Sequence, residues 1–236
     1  MFECKCIKAI RRDKYSPLII NKLKNNEEFF RALCECISTV KKNIRSKIDN
    51  VLDEYNISND IRQLIYQIYS DNDLSDIRGN IVEDIVFNFR YNNTNTQIKK
   101  ERQCVPFYNG KEINTEFDDR VLGSDSLTNF DVGFWNDDNF IELIECKCSI
   151  KNFLSKKDIN KIIYMNDIYL KLKKLTQNAN VFLFGLEIDE NDTTELNARI
   201  FELYKREFEN LISILNRSGY YKKLSFNFLG RNSLNV

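Results

Sequence analysis

Residues 181–186, Val-Phe-Leu-Phe-Gly-Leu, form a nearly unbroken apolar run of strand length. Such a run is expected of a strand covered on both faces, as in a sheet buried between layers of helices. Amphipathic patterns along the chain can supply that cover. Phe29, Leu33, Ile37, Val40, Ile44, Ile48, Val51 and Tyr55 follow spacings of four and three residues, the stripe of one long helix or of two in series. Ile61, Leu64, Ile65, Ile68 and Tyr69 repeat the pattern behind Ser58 or Asn59 as a cap. A third helix is expected from Ser75 or Asp76 to about Arg90.

The period then changes. Residues 96–108 read as a strand and 111–129 as a polar connection. Phe130–Trp135 and Phe140–Ser149 are β-like runs joined by Asn136-Asp137-Asp138-Asn139, a turn by composition. Ser155, with Asp158 three residues on, is expected to cap a helix reaching about Leu175. A helix over 193–216 and an alternating strand, Leu224–Phe228, finish the chain. From residue 76 the order is α, β, β, β, α, β, α, β, which predicts a mixed sheet flanked by helices. Residues 1–75 precede it as a helical segment.

The chain contains no histidine. That removes Ser-His-Asp and Cys-His catalysis, HExxH zinc peptidases and Cys2His2 fingers together. Seven scattered glycines make no phosphate-binding loop. Acid, base and metal chemistry must then fall to carboxylates and lysines. Seven cysteines, an odd count, occur as Cys4/Cys6, Cys34/Cys36, Cys146/Cys148 and Cys104. With no secretory signal and no long apolar run, they read as small buried hydrophobes of a reduced cytoplasmic protein that does not enter a membrane. Thirty-five basic and 35 acidic residues cancel, so a nucleic acid would have to be held by a local patch. Candidates are Lys41, Lys42, Arg45 and Lys47, or the lysines of 151–174, although each cluster also reads as a solvated helix face.

Chemistry concentrates in the hairpin of 130–149. Asp131 lies within Phe-Asp-Val-Gly-Phe, and Glu145 and Lys147 lie within Ile-Glu-Cys-Lys-Cys. Alternation puts Glu145 and Lys147 on one face. A three-residue loop pairs Asn136 with Phe140 and sets Asp131 opposite Glu145, whereas a two-residue loop pairs Asp131 with Ile144. Two carboxylates about 5 Å apart across a strand pair repel unless a cation intervenes. Mg²⁺ suits them, because it binds one or two carboxylates and keeps sites for water and phosphate oxygens. Lys147 would orient the attacking water or meet developing negative charge. The plain alternative is a strand-face ion pair of Glu145 with Lys147 or a cross-strand lysine.

Asp131, thirteen intervening residues and Glu145-Cys146-Lys147 resemble the PD-(D/E)XK nuclease superfamily, with Phe130 where that family often has proline. Gly79-Asn80-Ile81-Val82-Glu83 is similar to its GxxxE first-helix motif. Ile81, Val82, Ile85, Val86 and Phe89 define the buried side of that helix, with Glu83 flanking it and Asp84 turned to solvent. The resemblance covers residues 76 to about 190. It implies a restriction-endonuclease-like α/β fold over 76–236, with 1–75 serving recognition or dimerisation. It also implies that Glu83 joins Asp131 and Glu145 around the metal, with the Cys146 backbone carbonyl as a further ligand. Lys157 or Lys161 would touch phosphate, and Trp135 or Tyr164 would stack on a base unless they belong to the core. The implied activity is Mg²⁺-dependent endonucleolysis of DNA, with Mn²⁺ as a substitute, RNA left open and a homodimer cutting both strands. A catalytically inactive nucleic-acid-binding or assembly protein retaining the fold is the rival reading. If the hairpin register fails, Asp118, Asp119 and Asp125 become the candidates for the missing acid.

Overall fold

The computed structural model describes residues 1–7, 13–91, 97–115, 129–156, 159–189 and 193–236. Its centre is a seven-stranded mixed sheet. Strands β1 (Phe2–Cys6), β2 (Lys99–Tyr108), β4 (Phe130–Trp135), β5 (Ile141–Lys147), β6 (Ala179–Gly185) and β7 (Asn227–Gly230) lie side by side in that order, and β3 (Lys111–Glu112) pairs with β2. The β1–β2, β2–β4 and β4–β5 ladders are antiparallel, while β5–β6 and β6–β7 are parallel.

Side-chain alternation divides the sheet between two cores. Val132, Phe134, Ile144, Phe182 and Phe184 pack toward helices α1 (Ser16–Leu23), α2 (Glu27–Thr39), α3 (Arg45–Asp53), α4 (Asn59–Tyr69) and α5 (Leu74–Phe89). Ile141, Leu143, Val181 and Leu183 pack toward α6 (Ile150–Lys156), α7 (Ile159–Leu175), α8 (Thr193–Leu203) and α9 (Lys205–Arg217). Both faces of β6 are therefore covered, as its apolar run requires. The cysteines serve these cores: five are buried, Cys148 is half-buried, Cys6 is exposed, and none is in a disulfide.

Several elements differ from their sequence expectation. The first residues are not helical: Phe2–Cys6 form β1, with Phe2 and Cys4 buried in the second core. The stripe over 29–55 is two helices in series, with residues 41–47 exposed at their junction. Ser155 does not begin a helix but lies inside α6. That helix starts at Ile150 because Ile150, Phe153 and Leu154 bury one face, and Ser149 Oγ accepts the Asn152 N–H at 3.3 Å. The helix expected over 193–216 is divided at Tyr204. The last strand lies a little later than its alternation suggested, because Phe228 and Leu229 align with Leu183 and Phe184 of β6. Asp118, Asp119, Asp125, Lys157 and Asp158 lie outside the described residues. Among the described residues no helix is long and apolar enough to cross a membrane.

Candidate active site

The β4–β5 hairpin carries the expected three-residue loop. Asn136 N–H donates to the Phe140 carbonyl at 3.2 Å, and Val132, Gly133, Phe134 and Trp135 pair with Ile144, Leu143, Glu142 and Ile141. Asn139 takes a left-handed φ of 58°, which asparagine tolerates and such a loop requires. Asn136 Oδ1 accepts the Asp138 and Phe140 N–H groups and closes the turn. Counting back in this register sets Asp131 opposite Glu145.

The paired ladder stops one step short of them. On the other side, β2 pairs with β4 at Arg102–Val132 and Cys104–Phe130 but not between, where Gln103 has φ 45°. Toward β5, just past the last paired residues, the Asp131 side chain takes over as acceptor: its Oδ2 takes the Cys146 N–H at 2.7 Å. Lys147 Nζ lies 3.8 Å from that oxygen and donates to Glu145 Oε1. Asp131, Glu145 and Lys147 thus form one cluster, with both acids buried and Lys147 only partly so.

Glu83 reaches the same cluster from α5, whose buried side is Ile81, Val82, Ile85, Val86 and Phe89 as expected. Gln103 Nε2 donates to Glu83 Oε2 at 3.0 Å and to Asp131 Oδ1 at 3.3 Å, while its Oε1 accepts from Asn129 Nδ2 at 2.7 Å. Gln103 and Asn129 were not anticipated, and no spacing or motif marks them. Asp84 does not point to solvent. It is covered by Arg102, with which it forms an ion pair.

Lys161 departs furthest from expectation. It touches no surface: its side chain is 3% exposed and its Nζ lies 2.6 Å from Glu145 Oε2. The signal was present, because Lys161, Met165, Ile168 and Leu172 follow helical spacing and form the buried stripe of α7. Tyr164 is core as well, its ring 5.2 Å from that of Phe130, and Trp135 packs partly buried against the second core. Neither is presented as a base-stacking platform.

Charge is unevenly balanced across the cluster. Burial pushes Glu83 up to about 8, and the neighbouring Asp131 adds to the shift. Burial, then repulsion from Glu145, also raises Asp131. Burial acts upward on Glu145 too, but Lys147 and Lys161 outweigh it and hold the carboxylate below its ordinary value. Burial opposes the charge on Lys147, yet Glu145 and Asp131 prevail and keep the ammonium protonated. Glu83 therefore carries a proton in the folded chain that the unfolded chain, at the ordinary 4.5, has released. The stability this confers is full below about pH 4.5 and is lost as pH climbs toward 8. Glu145, held low, titrates beneath that window. Thermal melts of metal-free protein should fall progressively between about pH 5 and 8, and Glu83→Gln should flatten much of the slope. A flat wild-type profile would contradict the shift.

The donor set suits a hard cation. Among the described residues no group of three or more Asp, Glu or Cys side chains stands close enough to hold a metal. Mg²⁺ asks for less, one or two carboxylates with water and substrate oxygens completing its octahedron. Asp131 and Glu145 are the two carboxylates that could meet that need, although both Glu145 oxygens already face lysines, and burial is what chiefly raises Glu83 and Asp131. The Cys146 thiol is no candidate, since it faces the opposite core and burial holds it well above its ordinary pKa. Of this residue only the backbone carbonyl could serve as a ligand.

No family model, curated protein or solved structure matches this chain.

Proposed function

We propose that the chain is a metal-dependent endonuclease of restriction-endonuclease-like fold that hydrolyses DNA phosphodiesters at Asp131, Glu145 and Lys147. The observation that carries this reading is the buried Asp131–Glu145–Lys147 cluster, built where β4 and β5 fork and Asp131 accepts the Cys146 N–H. An isolated strand-face ion pair needs no second buried acid. A metal-assisted hydrolase has a use for one, because two facing carboxylates can share a cation.

A bound Mg²⁺ would supply Lewis acidity, stabilising phosphoryl charge and lowering the pKa of a water. Asp131 and Glu145 would hold it, and Glu83 would support the site through Gln103. Lys147 stays charged, so it meets developing negative charge or orients water and does not act as a base. A polyanion has a track nearby: Lys41, Lys42 and Lys47 are exposed, and Lys41 Nζ lies 2.9 Å from Asn152 Oδ1 on α6, the helix that follows β5. Such contacts give affinity without sequence choice. Cutting both strands of a duplex usually takes two such sites, so a homodimer is part of this reading.

The rival is a binding or assembly protein that keeps the fold without activity. It draws support from Glu145, both of whose oxygens already face lysines.

Incubation with plasmid, single-stranded DNA and RNA, each with Mg²⁺, Mn²⁺ or EDTA, separates the two. Metal-dependent cleavage, strongest on DNA, is expected. Binding without cleavage under every condition would favour the rival, and cleavage in EDTA would sink the metal mechanism.

A further inference from the structure

Glu145 has two ammonium partners, and they are unequal. Lys147 is 29% exposed, whereas Lys161 is 3% exposed on the buried stripe of α7. Lys161 Nζ lies 2.6 Å from Glu145 Oε2 and donates to the Asn129 carbonyl. The same ammonium sits 5.6 Å from the ring centre of Phe130 and 5.9 Å from that of Tyr164. Everything around it fixes it in place.

We propose that Lys161 is a positioning residue, the permanent counter-ion of Glu145, and that it frees Lys147 to turn toward a substrate phosphate. A buried carboxylate that loses its sole partner is strongly disfavoured, because its charge is left uncompensated in a medium of low dielectric. With Lys161 in place, Lys147 can leave Glu145 without that penalty. Its flexible stem and partial exposure suit it to the mobile role.

The contact also reaches beyond Glu145. Lys161 holds the Asn129 carbonyl, the Asn129 amide holds Gln103, and Gln103 holds Glu83 and Asp131. One lysine on α7 thereby sets the relative positions of acids on β5, β4 and α5. The consequence for catalysis rests on the nuclease reading; the assignment of fixed and mobile partners does not.

The test has two independent readouts. In melts of metal-free protein, Lys161→Met and Glu145→Gln should each lower Tm, and their double variant should lose no more than the worse single one. The matching cycle of Lys147→Met with Glu145→Gln should show a clearly smaller coupling. Failure of Lys161→Met alone to fold, with rescue in the double variant, is the same result in stronger form.

In cleavage assays Lys161→Met should lower kcat about 100-fold, the scale of a small misplacement of a reacting group. KM and the salt dependence of DNA binding should not change, and Lys161→Arg should recover part of the rate. An additive Lys161–Glu145 cycle, or wild-type kcat in Lys161→Met, overturns the proposal. So does a raised KM at unchanged kcat, which would make Lys161 a phosphate contact. Should the wild type cleave nothing, the nuclease reading fails, and the melting cycles still decide which lysine is the fixed partner.

Discussion

Lys147→Met is expected to reduce DNA cleavage about 10²- to 10³-fold, the usual cost of deleting one preorganised donor to developing charge. Methionine keeps the length of the stem that runs beside the Phe153 ring, 5.2 Å from the ammonium, so packing is largely retained. The fold should survive, because Glu145 keeps its contact with Lys161 at 2.6 Å. The signature is thus a collapsed kcat in a protein whose melting temperature barely moves. Single-turnover cleavage with calorimetry on the same preparation measures both. Wild-type turnover in this variant would remove Lys147 from the chemistry. A collapsed melting temperature would instead make it a structural ion pair.

The largest effect on stability is expected on the opposite side of β5. Glu142 is 2% exposed and is gripped at both oxygens by Arg90, with Nε–Oε1 at 2.7 Å and Nη2–Oε2 at 3.0 Å. Arg90 also donates to the Ser233 carbonyl at 3.0 Å, and Tyr91 donates to Glu142 at 3.1 Å. One guanidinium therefore ties the end of α5 to β5 and to the C-terminal turn. Arg90→Leu strands a buried carboxylate, and breaking such a pair from one side costs about 3–5 kcal/mol. For a chain of this size that corresponds to a fall in Tm of roughly 6–20 °C. Because both charges leave together, Arg90→Leu/Glu142→Leu should regain most of the loss. A single variant melting within about 2 °C of wild type would show that Tyr91 and water satisfy Glu142 unaided.

Much of the architecture could be read in advance because it follows from periodicity. The apolar run at 181–186 demanded cover on both faces, and the 3.6-residue stripes of α2 to α5 supplied it on one of them. The turn at 136–139 was legible from composition, but the register was not. Two- and three-residue loops were both open, and the Asn136–Phe140 pair with the left-handed Asn139 decides for the loop that sets Asp131 opposite Glu145. β1 was missed because Phe2–Cys6 is a short edge strand whose partner, β2, lies nearly a hundred residues away.

Within the site, the acids and Lys147 stood out as charges among apolar strand residues. Gln103 and Asn129 did not, since a polar residue in a strand or at its mouth is ordinary until a neighbour is placed beside it. Lys161 was read as a phosphate contact or part of a solvated helix face, although its spacing with Met165, Ile168 and Leu172 is that of a buried stripe. Its role needed Glu145, sixteen residues earlier and on another element. Pairings of that kind are set by tertiary contact, to which local patterns are blind.

The most direct test of the central claim is the conversion of supercoiled plasmid by wild type and by Glu145→Ala, each with Mg²⁺ and with EDTA. The account predicts nicked or linear product from the wild type in Mg²⁺ alone and none from the variant under either condition. Equal cleavage by the two proteins in Mg²⁺ would contradict it.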